Sequence, residues 1–495
     1  MLTKILKELG PSRSSLVVEE LQKLGINSDA ARQRISRATP PIRKFPVPLL
    51  PKNEAFVYLQ DDRGTEEFWT NFQRDMRETK SIYGMALDSL IAHGGIIPRD
   101  RFGTISGATI TPRKGQVSAD SVLKCLVAAG MVEELNTGEY GPCVRIRESQ
   151  LGYADYSGFF GRQKAELILL DAVREWARRI GMASYNSIQI RGDEKLKPVG
   201  PYAFDLAGPC YLLPVKSKTS QPGFFVCDVI AEGILDEHSI AYFIRKAEAT
   251  QSMIGSGIVA MLFAEGYTGK AKTVGSAAGI IMATHRNLFG STVANTIATL
   301  LKVLKNAAAH AAADPEKLEK LLDSLTEIEG SAGNLRGILF ELIAAHLIRR
   351  DAASIDMGLI ARDMKTGKTA DIDVLKITSQ ASECVCIECK GKSPGGEVSL
   401  KEVEDWLQRI PTFQTHIRNN QSLREASLSF ELWTSGSFHP EALIKLESEQ
   451  KKRKKSPIAW KNGNDLLELS KKYKIKPITN ALNSHFLKHP LSGIS

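Results

Sequence analysis

Apolar positions in the first 40 residues recur at helical spacing in two short blocks. The first block carries four of them on one face, Leu16, Val17, Leu21 and Leu24, and Gly25 ends it. The second block places three small or apolar residues on one face: Ala31, Ile35 and Ala38. Ser28 stands where a helix N-cap is expected. The pattern predicts two helices joined by a turn over residues 14–38.

The outward face of the second predicted helix is polar and basic, with Gln33, Arg34 and Arg37. A short helix with a small-residue core face and such an outer face is typical of a DNA recognition helix. We therefore predict that these three residues bind DNA. The alternative is a surface helix of any small bundle.

A second unit of the same kind follows residue 80. The stretches "SIYGMALDSLIAHGGII" and "SADSVLKCLVAAGMVEEL" predict helices, the latter capped by Ser118, and the turn "NTGEYG" precedes the strand "PCVRIRE". This order resembles winged-helix domains. Two such units in tandem imply nucleic-acid binding, and a winged helix used only for protein contacts is the alternative.

From about residue 157 the pattern changes to a long helix, strands, a helix and a further strand, and this order occurs twice. The first copy runs from "RQKAELILLDAVREWARRIG" to "GIIMAT", and the second from "NLRGILFELIAAHLIRRD" to "IAWKNGNDLLELSKKY". Residues 306–333 between them are charged and are predicted to form a helical connector.

Composition narrows the class of protein. The chain has 495 residues, a net charge of +9 and 43% hydrophobic residues, which suffice for several domain cores. A basic balance suits a nucleic-acid partner. Seven cysteines, an odd number without framework spacing, predict a reducing setting. The sequence begins without signal-peptide features, and it lacks both a P-loop and an apolar run of roughly 20 residues. We expect a cytoplasmic protein without membrane contacts.

The stretch "CVCIECKGK" at residues 384–392 predicts a strand that carries two opposite charges, Glu388 and Lys390. Side chains alternate between the faces of a strand, so these two point the same way and Cys389 points the other way. This alternation places Cys389 on the opposite face from Cys384 and Cys386, and it therefore argues against one zinc site built from the three cysteines. Tetrahedral zinc also needs four ligands, and this strand offers only three. A buried charge must be paired or bound to a metal. A structural Glu–Lys pair is the simplest interpretation.

Acidic residues in neighbouring elements suggest a metal site instead. Asp373 lies in the preceding predicted strand, "TADIDVL", which a short turn joins to the next one, so the hairpin can bring Asp373 beside Glu388. Two carboxylates and a main-chain carbonyl are hard oxygen ligands that suit magnesium. Glu341, in the apolar helix "NLRGILFELIAAHLI", is a third candidate acid, or else a helix-edge glutamate in water.

A helix with one glutamate, a strand "D-I-D-V" and a strand "I-E-C-K" resemble the PD-(D/E)xK nuclease superfamily. The later stretches "ELWTSGSFHPEALIKLE" and "IAWKNGNDLLELSKKYKI" resemble the closing strand–helix pairs of Mrr-like restriction endonucleases, so the similarity covers about residues 330–480. It implies a mixed central sheet flanked by helices. It also implies site roles: Asp373, Glu388 and the main chain of Cys389 as metal ligands, Lys390 as the catalytic lysine and Glu341 as a supporting acid. The proline that usually precedes the first acid is absent.

The first copy matches the same template incompletely. Glu166, Asp205 and Asp228 correspond to the three acids, but Ile230 stands at the lysine position. A phosphoryl-transfer site without a cation there loses charge stabilisation worth several kcal/mol. We therefore predict a degenerate nuclease-like copy kept for structure, dimer contacts or DNA binding. Lys216 or Lys218 from a neighbouring segment is an alternative cation.

The predicted organisation is a tandem winged-helix region (α+β) followed by two α/β restriction-endonuclease-like domains with mixed central sheets. The predicted boundaries are 1–76 and 77–150 for the winged helices, 151–310 for the degenerate copy and 311–495 for the catalytic domain. The expected function is a Mg²⁺- or Mn²⁺-dependent DNA endonuclease of prokaryotic restriction or anti-phage defence. Further candidate partners are a second copy of the chain and a defence-system protein. The alternatives are a non-catalytic DNA-binding or assembly protein and an RNA-directed nuclease.

Overall fold

The computed structural model describes residues 1–112, 115–137, 141–147, 151–156, 158–183, 187–212, 222–254, 257–291, 295, 298, 333–363, 366–454 and 456–487. The chain groups into two compact units. Unit 1 comprises residues 1–135, 142–156 and 181–284, and unit 2 comprises residues 136–141, 157–180 and 285–495. The predicted connector lies almost wholly outside the described residues.

Unit 1 begins with three helices and a three-stranded sheet. The elements are α1 (Leu2–Leu9), β1 (Ser12–Arg13), α2 (Ser14–Lys23), α3 (Ser28–Ser36), β2 (Ile42–Lys44) and β3 (Phe56–Leu59), and the sheet order is β1-β3-β2. Val17, Leu21, Ala31 and Ile35 from the two predicted helices share a buried core with Val57 of β3. Both helices predicted over residues 14–38 are confirmed.

Two details of the predicted segment 14–38 are wrong. Asn27, one residue before Ser28, caps α3, because its side-chain oxygen accepts the backbone N–H of Ala30 at 2.8 Å. Leu24 follows the end of α2 and is 59% exposed, so it is not part of the core face.

A second set of elements follows in unit 1. These are α4 (Glu66–Glu78), α5 (Ile82–Ala92), β4 (Ile96–Pro98), α6 (Phe102–Ile105), α7 (Ala119–Ala128), β5 (Val132–Thr137) and β6 (Gly141–Ile146), with the sheet order β4-β6-β5. Ser118 caps α7 as predicted, since its hydroxyl accepts the backbone N–H of Ser121 at 3.1 Å. The predicted turn "NTGEYG" lies partly outside the described residues.

A long helix, α8 (Phe159–Arg179), precedes the five-stranded sheet of unit 1. The sheet and its helices comprise β7 (Gln189–Ile190), β8 (Leu206–Cys210), β9 (Gly223–Leu235), α9 (Ala241–Met253), β10 (Ile258–Tyr267), α10 (Gly269–Ala277) and β11 (Ile281–Thr284). The order is β11-β10-β9-β8-β7. Strands β7, β8 and β9 pair antiparallel, and β9, β10 and β11 pair parallel.

Unit 2 contains a sheet of the same design. Its elements are α11 (Gly333–Ile348), β12 (Ser354–Arg362), β13 (Thr369–Ile377), β14 (Glu383–Lys390), β15 (Glu397–Val398), α12 (Leu400–Asn419), β16 (Ser427–Thr434), β17 (Ser437–Phe438), α13 (Pro440–Lys452), β18 (Ile458–Lys461), α14 (Gly463–Lys472) and α15 (Lys476–Ala481). The main sheet has the order β12-β13-β14-β16-β18. Strands β12, β13 and β14 pair antiparallel, and β14, β16 and β18 pair parallel.

The two five-stranded sheets share one chain order and one set of strand directions, so the predicted repeat is present in the element order. The long helix α8 departs from the prediction in its grouping. We expected it with the first copy, but its residues belong to unit 2. There α8 packs against α11, the equivalent helix of the second copy.

No helix within the described ranges is long and apolar enough to cross a membrane. All seven cysteines are free thiols.

Candidate active site

The hairpin β13–β14 brings the two predicted acidic ligands together. The paired residues of the two strands run antiparallel from Ile377 opposite Cys384 to Val374 opposite Ile387. One further step along this register places Asp373 opposite Glu388, and residues opposite each other point to the same face. The backbone N–H of Cys389 donates to Asp373 Oδ2 at 2.7 Å.

Glu388 is 3% exposed, and one of its carboxylate oxygens accepts hydrogen bonds from two cationic side chains. Its Oε1 accepts from Lys390 Nζ at 2.8 Å and from Arg409 Nη2 at 2.7 Å. The buried Oε2 has no hydrogen-bond partner in the described part of the chain. The predicted Glu–Lys contact is present, and it leaves one carboxylate oxygen available to a ligand.

Glu341 comes from helix α11 and is 7% exposed, so it does not lie at a helix edge in water. Its Oε1 accepts from Lys164 Nζ at 3.4 Å, and its buried Oε2 has no partner among the described residues. Burial raises the pKa of Glu341, Lys164 lowers it, and the charges of Glu388 and Asp371 raise it again; the net shift is upward.

The acids of this cluster repel one another. Burial raises the pKa of Asp373 well above its ordinary range, and the charges of Glu388 and Glu341 raise it further, while Lys164 opposes them. A cation stabilises the ionised form of buried carboxylates that repel one another. Sites of this chemistry are functional-site candidates.

The donor set fits a hard divalent cation. The described residues contain no ready-made group of three or more His, Cys, Asp and Glu side chains that could hold a metal. Magnesium usually keeps several waters and binds through one or two carboxylates, so Asp373 and Glu388 suffice. The N–H and C=O of one strand residue point to the same neighbouring strand. The Cys389 carbonyl therefore lies on the side of Asp373.

The thiol of Cys389 is unsuited to act as a ligand. Burial raises its pKa well above the ordinary range, and the nearby charges of Asp373, Glu341 and Glu388 raise it further. A thiol binds metal as the thiolate. Only the main chain of Cys389 therefore remains as a candidate ligand.

The first copy preserves the acid pair in the same geometry. Leu206 pairs with Cys227, so the next step of the register places Asp205 opposite Asp228. The backbone N–H of Val229 donates to Asp205 Oδ2 at 3.2 Å, which repeats the bond between Cys389 and Asp373. The fully buried Ile230 occupies the position of Lys390.

Three cations surround this acid pair. Lys246 Nζ on α9 lies 2.6 Å from Asp228 Oδ2, Arg191 Nη1 lies 3.0 Å from Asp205 Oδ1, and Arg101 Nη2 lies 3.6 Å from Asp205 Oδ2. Burial raises the pKa of Asp228 to about 6 against the opposing charge of Lys246. Burial also acts to raise the pKa of Asp205, but Arg191 and Arg101 outweigh it and hold the pKa at about 2.

Lys246 has no exposed surface, and its ammonium also donates to the carbonyls of Thr104 and Ala203, both at 2.8 Å. This lysine supplies the cation that Ile230 does not. The two lysines proposed from sequence, Lys216 and Lys218, lie outside the described residues. Glu166 is buried on α8, in unit 2, so it does not share a compact unit with Asp205 and Asp228.

The predicted DNA-binding residues lie together on the surface. Gln33, Arg34 and Arg37 are exposed and line one cavity of about 620 Å³ beside the N-terminus. Arg34 Nη1 is 3.4 Å from Met1 Sδ. The core residues Ala31 and Ile35 face the other way, as predicted.

No family model matches the chain, and no curated protein matches it. Among solved structures, it is similar to a protein of unknown function at 17% identity and a TM-score of 0.21, over 28% of this chain and 67% of that one. It is also similar to a repair endonuclease from Pyrococcus abyssi at 16% identity and a TM-score of 0.20, over 29% of this chain and 53% of that one. The chain thus spans about half the length of the repair endonuclease. Both scores are low, and the function proposed below rests on the contacts of the described residues.

Sequence reasoning missed two side chains at the candidate site, Arg409 and Lys164. Arg409 lies three residues after Trp406 and one before Ile410. Both of these residues are fully buried, so Arg409 lies beside the apolar face of α12. That position was a usable indication that the side chain reaches the sheet. Lys164 had no comparable indication, because α8 was expected with the other copy.

Proposed function

We propose that the chain is a metal-dependent nuclease that hydrolyses DNA phosphodiester bonds at the second nuclease-like copy. The supporting observation is the β13–β14 hairpin, which sets Asp373 opposite Glu388 and leaves one Glu388 oxygen buried without a partner in the described residues. Lys390 lies on the same face and contacts Glu388. The PD-(D/E)xK resemblance assigns these three residues the same roles.

In this proposal Asp373, Glu388 and the Cys389 carbonyl hold Mg²⁺ or Mn²⁺. When bound, such an ion supplies Lewis acidity at the phosphate. Glu341 adds negative charge to the same pocket, since its charge raises the pKa of Asp373.

Lys390 supplies positive charge at the phosphate. Burial acts to lower its pKa, but the carboxylates of Glu388 and Asp373 outweigh burial and the net shift is upward, so the side chain stays an ammonium. A fixed ammonium stabilises the negative charge that develops on the phosphate oxygens in the transition state. Arg409 holds the Glu388 carboxylate in place and is a positioning residue.

The N-terminal elements support DNA as the substrate. From α1 in the first set and from α5 in the second, the order is a helix, a strand, two helices and two further strands, and in each sheet the third strand lies between the first and the second. This is the order expected of the winged helices that the sequence resembles. In this proposal the exposed face of α3 contacts DNA through Gln33, Arg34 and Arg37. The resemblance to Mrr-like enzymes supports a role in prokaryotic restriction or anti-phage defence.

The first copy is proposed to be structural. Arg101 and Thr104 belong to the second N-terminal set of elements, whereas Asp205, Asp228 and Lys246 belong to the first nuclease-like copy. Arg101, Asp205, Asp228 and Lys246 are buried, and Thr104 is half-buried. The acid pair therefore joins two parts of unit 1, and its oxygens are already bound to cations and N–H groups.

Incubation of the purified chain with plasmid DNA and with RNA, each with and without Mg²⁺, tests the proposal. We expect DNA cleavage that requires the metal and that Asp373→Asn abolishes. If the chain cleaved only RNA, the substrate would be RNA in place of DNA. DNA binding without cleavage of either substrate would indicate the non-catalytic alternative.

A further inference from the structure

Lys164 brings a third cation to the acids of the candidate active site. It lies on α8, 177 residues from Glu341 in the chain, and its Nζ is 3.4 Å from Glu341 Oε1. The helix α8 packs against α11, which carries Glu341. Both helices belong to unit 2, so the contact lies within one compact unit.

Lys164 faces different acids from the other two cations. Lys390 and Arg409 both bind Oε1 of Glu388. Burial acts to lower the pKa of Lys164, but the charges of Glu341, Asp373 and Asp371 outweigh burial, and the net shift of the pKa is upward. The ammonium is therefore charged, and it neutralises the acids that Lys390 and Arg409 do not contact.

The lysine is also more accessible than the acids that it neutralises. The side chain of Lys164 is 26% exposed, against 9% for Glu341 and 3% for Glu388. A lysine side chain is a flexible four-carbon stem with a strongly hydrated head group. Its ammonium can therefore move into solvent without breaking the packing of α8.

We propose that Lys164 is an internal counter-ion of Glu341 and Asp373, which a divalent cation displaces when it binds. This inference rests on the proposed function, because it takes Asp373 as a metal ligand. An ammonium at Glu341 and a divalent ion at Asp373 repel each other strongly in a buried site, because the charges of Lys164 and Glu341 both act on Asp373. The metal-free protein is thereby stabilised, and the chain must exchange one cation for the other before cleavage.

Calorimetric titration of the full chain with MgCl₂ in the absence of DNA tests the exchange. Lys164→Gln removes the competing charge and should bind Mg²⁺ at least about tenfold more tightly than the parent. Lys401→Gln removes one charge from an exposed position of the same unit and should leave the affinity unchanged. Lys164→Arg keeps the charge and should bind no more tightly than the parent.

Thermal unfolding provides a second readout. Without Mg²⁺, Lys164→Gln should melt at a lower temperature than the parent, because Glu341 loses its counter-ion, and saturating Mg²⁺ should remove the difference. Unchanged or weaker Mg²⁺ binding by Lys164→Gln would overturn the inference while leaving the nuclease proposal intact. If Lys164→Gln does not fold, tighter binding by Lys164→Arg would overturn it. A parent protein that binds no Mg²⁺ would contradict the proposed metal site itself.

Discussion

At the residue scale, the candidate site depends on how the charge of Glu388 is shared. Lys390 and Arg409 bind one oxygen, and the other oxygen is buried without a partner in the described chain. A buried carboxylate without cations would have a high cost of desolvation. The two cations lower that cost and still leave an oxygen for a metal. Arg409 is therefore as important to the geometry as Lys390, although only Lys390 is proposed to face the phosphate.

Arg409→Gln should reduce Mg²⁺-dependent cleavage by about 10–100-fold, the usual cost of losing a residue that orients a metal ligand. The concentration of Mg²⁺ required for half-maximal activity should rise, because Glu388 is no longer held. Steady-state cleavage over a range of Mg²⁺ concentrations measures both effects, and Lys401→Gln is the matched control. An unchanged Mg²⁺ requirement would show that Arg409 does not position Glu388.

The buried Asp228–Lys246 ion pair of the first copy should contribute more to stability than to activity. Asp228→Asn leaves Lys246 buried without its counter-ion and should lower the free energy of unfolding by about 3–5 kcal/mol. Lys246→Met should also destabilise, and the double variant should cost less than the sum of the two, because the residues are in direct contact. Urea unfolding measures all three variants.

Lys270→Met is the control for that series. Lys270 is 71% exposed and pairs with Glu237 at 2.7 Å, so its loss should cost at most about 1 kcal/mol. A similar cost for Lys246→Met would mean that the buried pair does not hold unit 1 together.

Local alternation was enough to predict that Glu388 and Lys390 share a face, because only one residue, Cys389, separates them. The sequence did not reveal Arg409 or Lys246, since each cation comes from the helix that follows its strand. Whether such a side chain reaches the acid depends on how that helix packs on the sheet. The degenerate copy was inferred from Ile230, and the lysine that replaces the missing charge became visible only in the structure.

At the element scale, helix α3 is the part of the N-terminal region with the clearest division of faces. Ala31 and Ile35 pack in the core, while Gln33, Arg34 and Arg37 are exposed. Periodicity predicted these faces correctly, because a helix of nine residues repeats its pattern within the helix itself. The cap was misplaced by one residue, since asparagine and serine both suit the N-cap position.

The double variant Arg34→Ala with Arg37→Ala should weaken DNA binding, most clearly at moderate salt. Each lost phosphate contact should reduce the slope of log affinity against log salt by about one. Fluorescence anisotropy over a series of salt concentrations measures the slope. Cleavage at saturating DNA should survive, because α3 and the candidate active site belong to different units.

Arg32→Ala is the control within the same helix. Arg32 is exposed, pairs weakly with Asp29 at 4.0 Å and lines a different cavity from Arg34. Its loss should leave the salt slope nearly unchanged. Equal slopes for the parent and the Arg34/Arg37 variant would mean that this helix contacts protein, or nothing, in place of DNA.

At the scale of the whole molecule, one sheet design occurs twice and its acid pair has two different surroundings. In the first copy, three cations surround Asp205 and Asp228, and Lys246 is completely buried. In the second copy, Glu341 and Glu388 each keep an oxygen without a partner in the described residues. Repeated element order in the sequence was sufficient to predict two related sheets. It could not predict that α8 groups with the second unit, because the periodicity of a helix is the same whichever sheet the helix accompanies.

The most direct measurement compares cleavage by two matched double variants at saturating plasmid DNA and Mg²⁺. One variant, Asp373→Asn with Glu388→Gln, alters the second copy, and the other, Asp205→Asn with Asp228→Asn, alters the first. Both are assayed below their measured melting temperatures. The second-copy variant should lose at least about 10²–10³-fold in rate, and the first-copy variant should melt earlier but cleave at nearly the parental rate. Unimpaired cleavage by the second-copy variant, or loss of cleavage by a folded first-copy variant, would contradict the assignment of the active site.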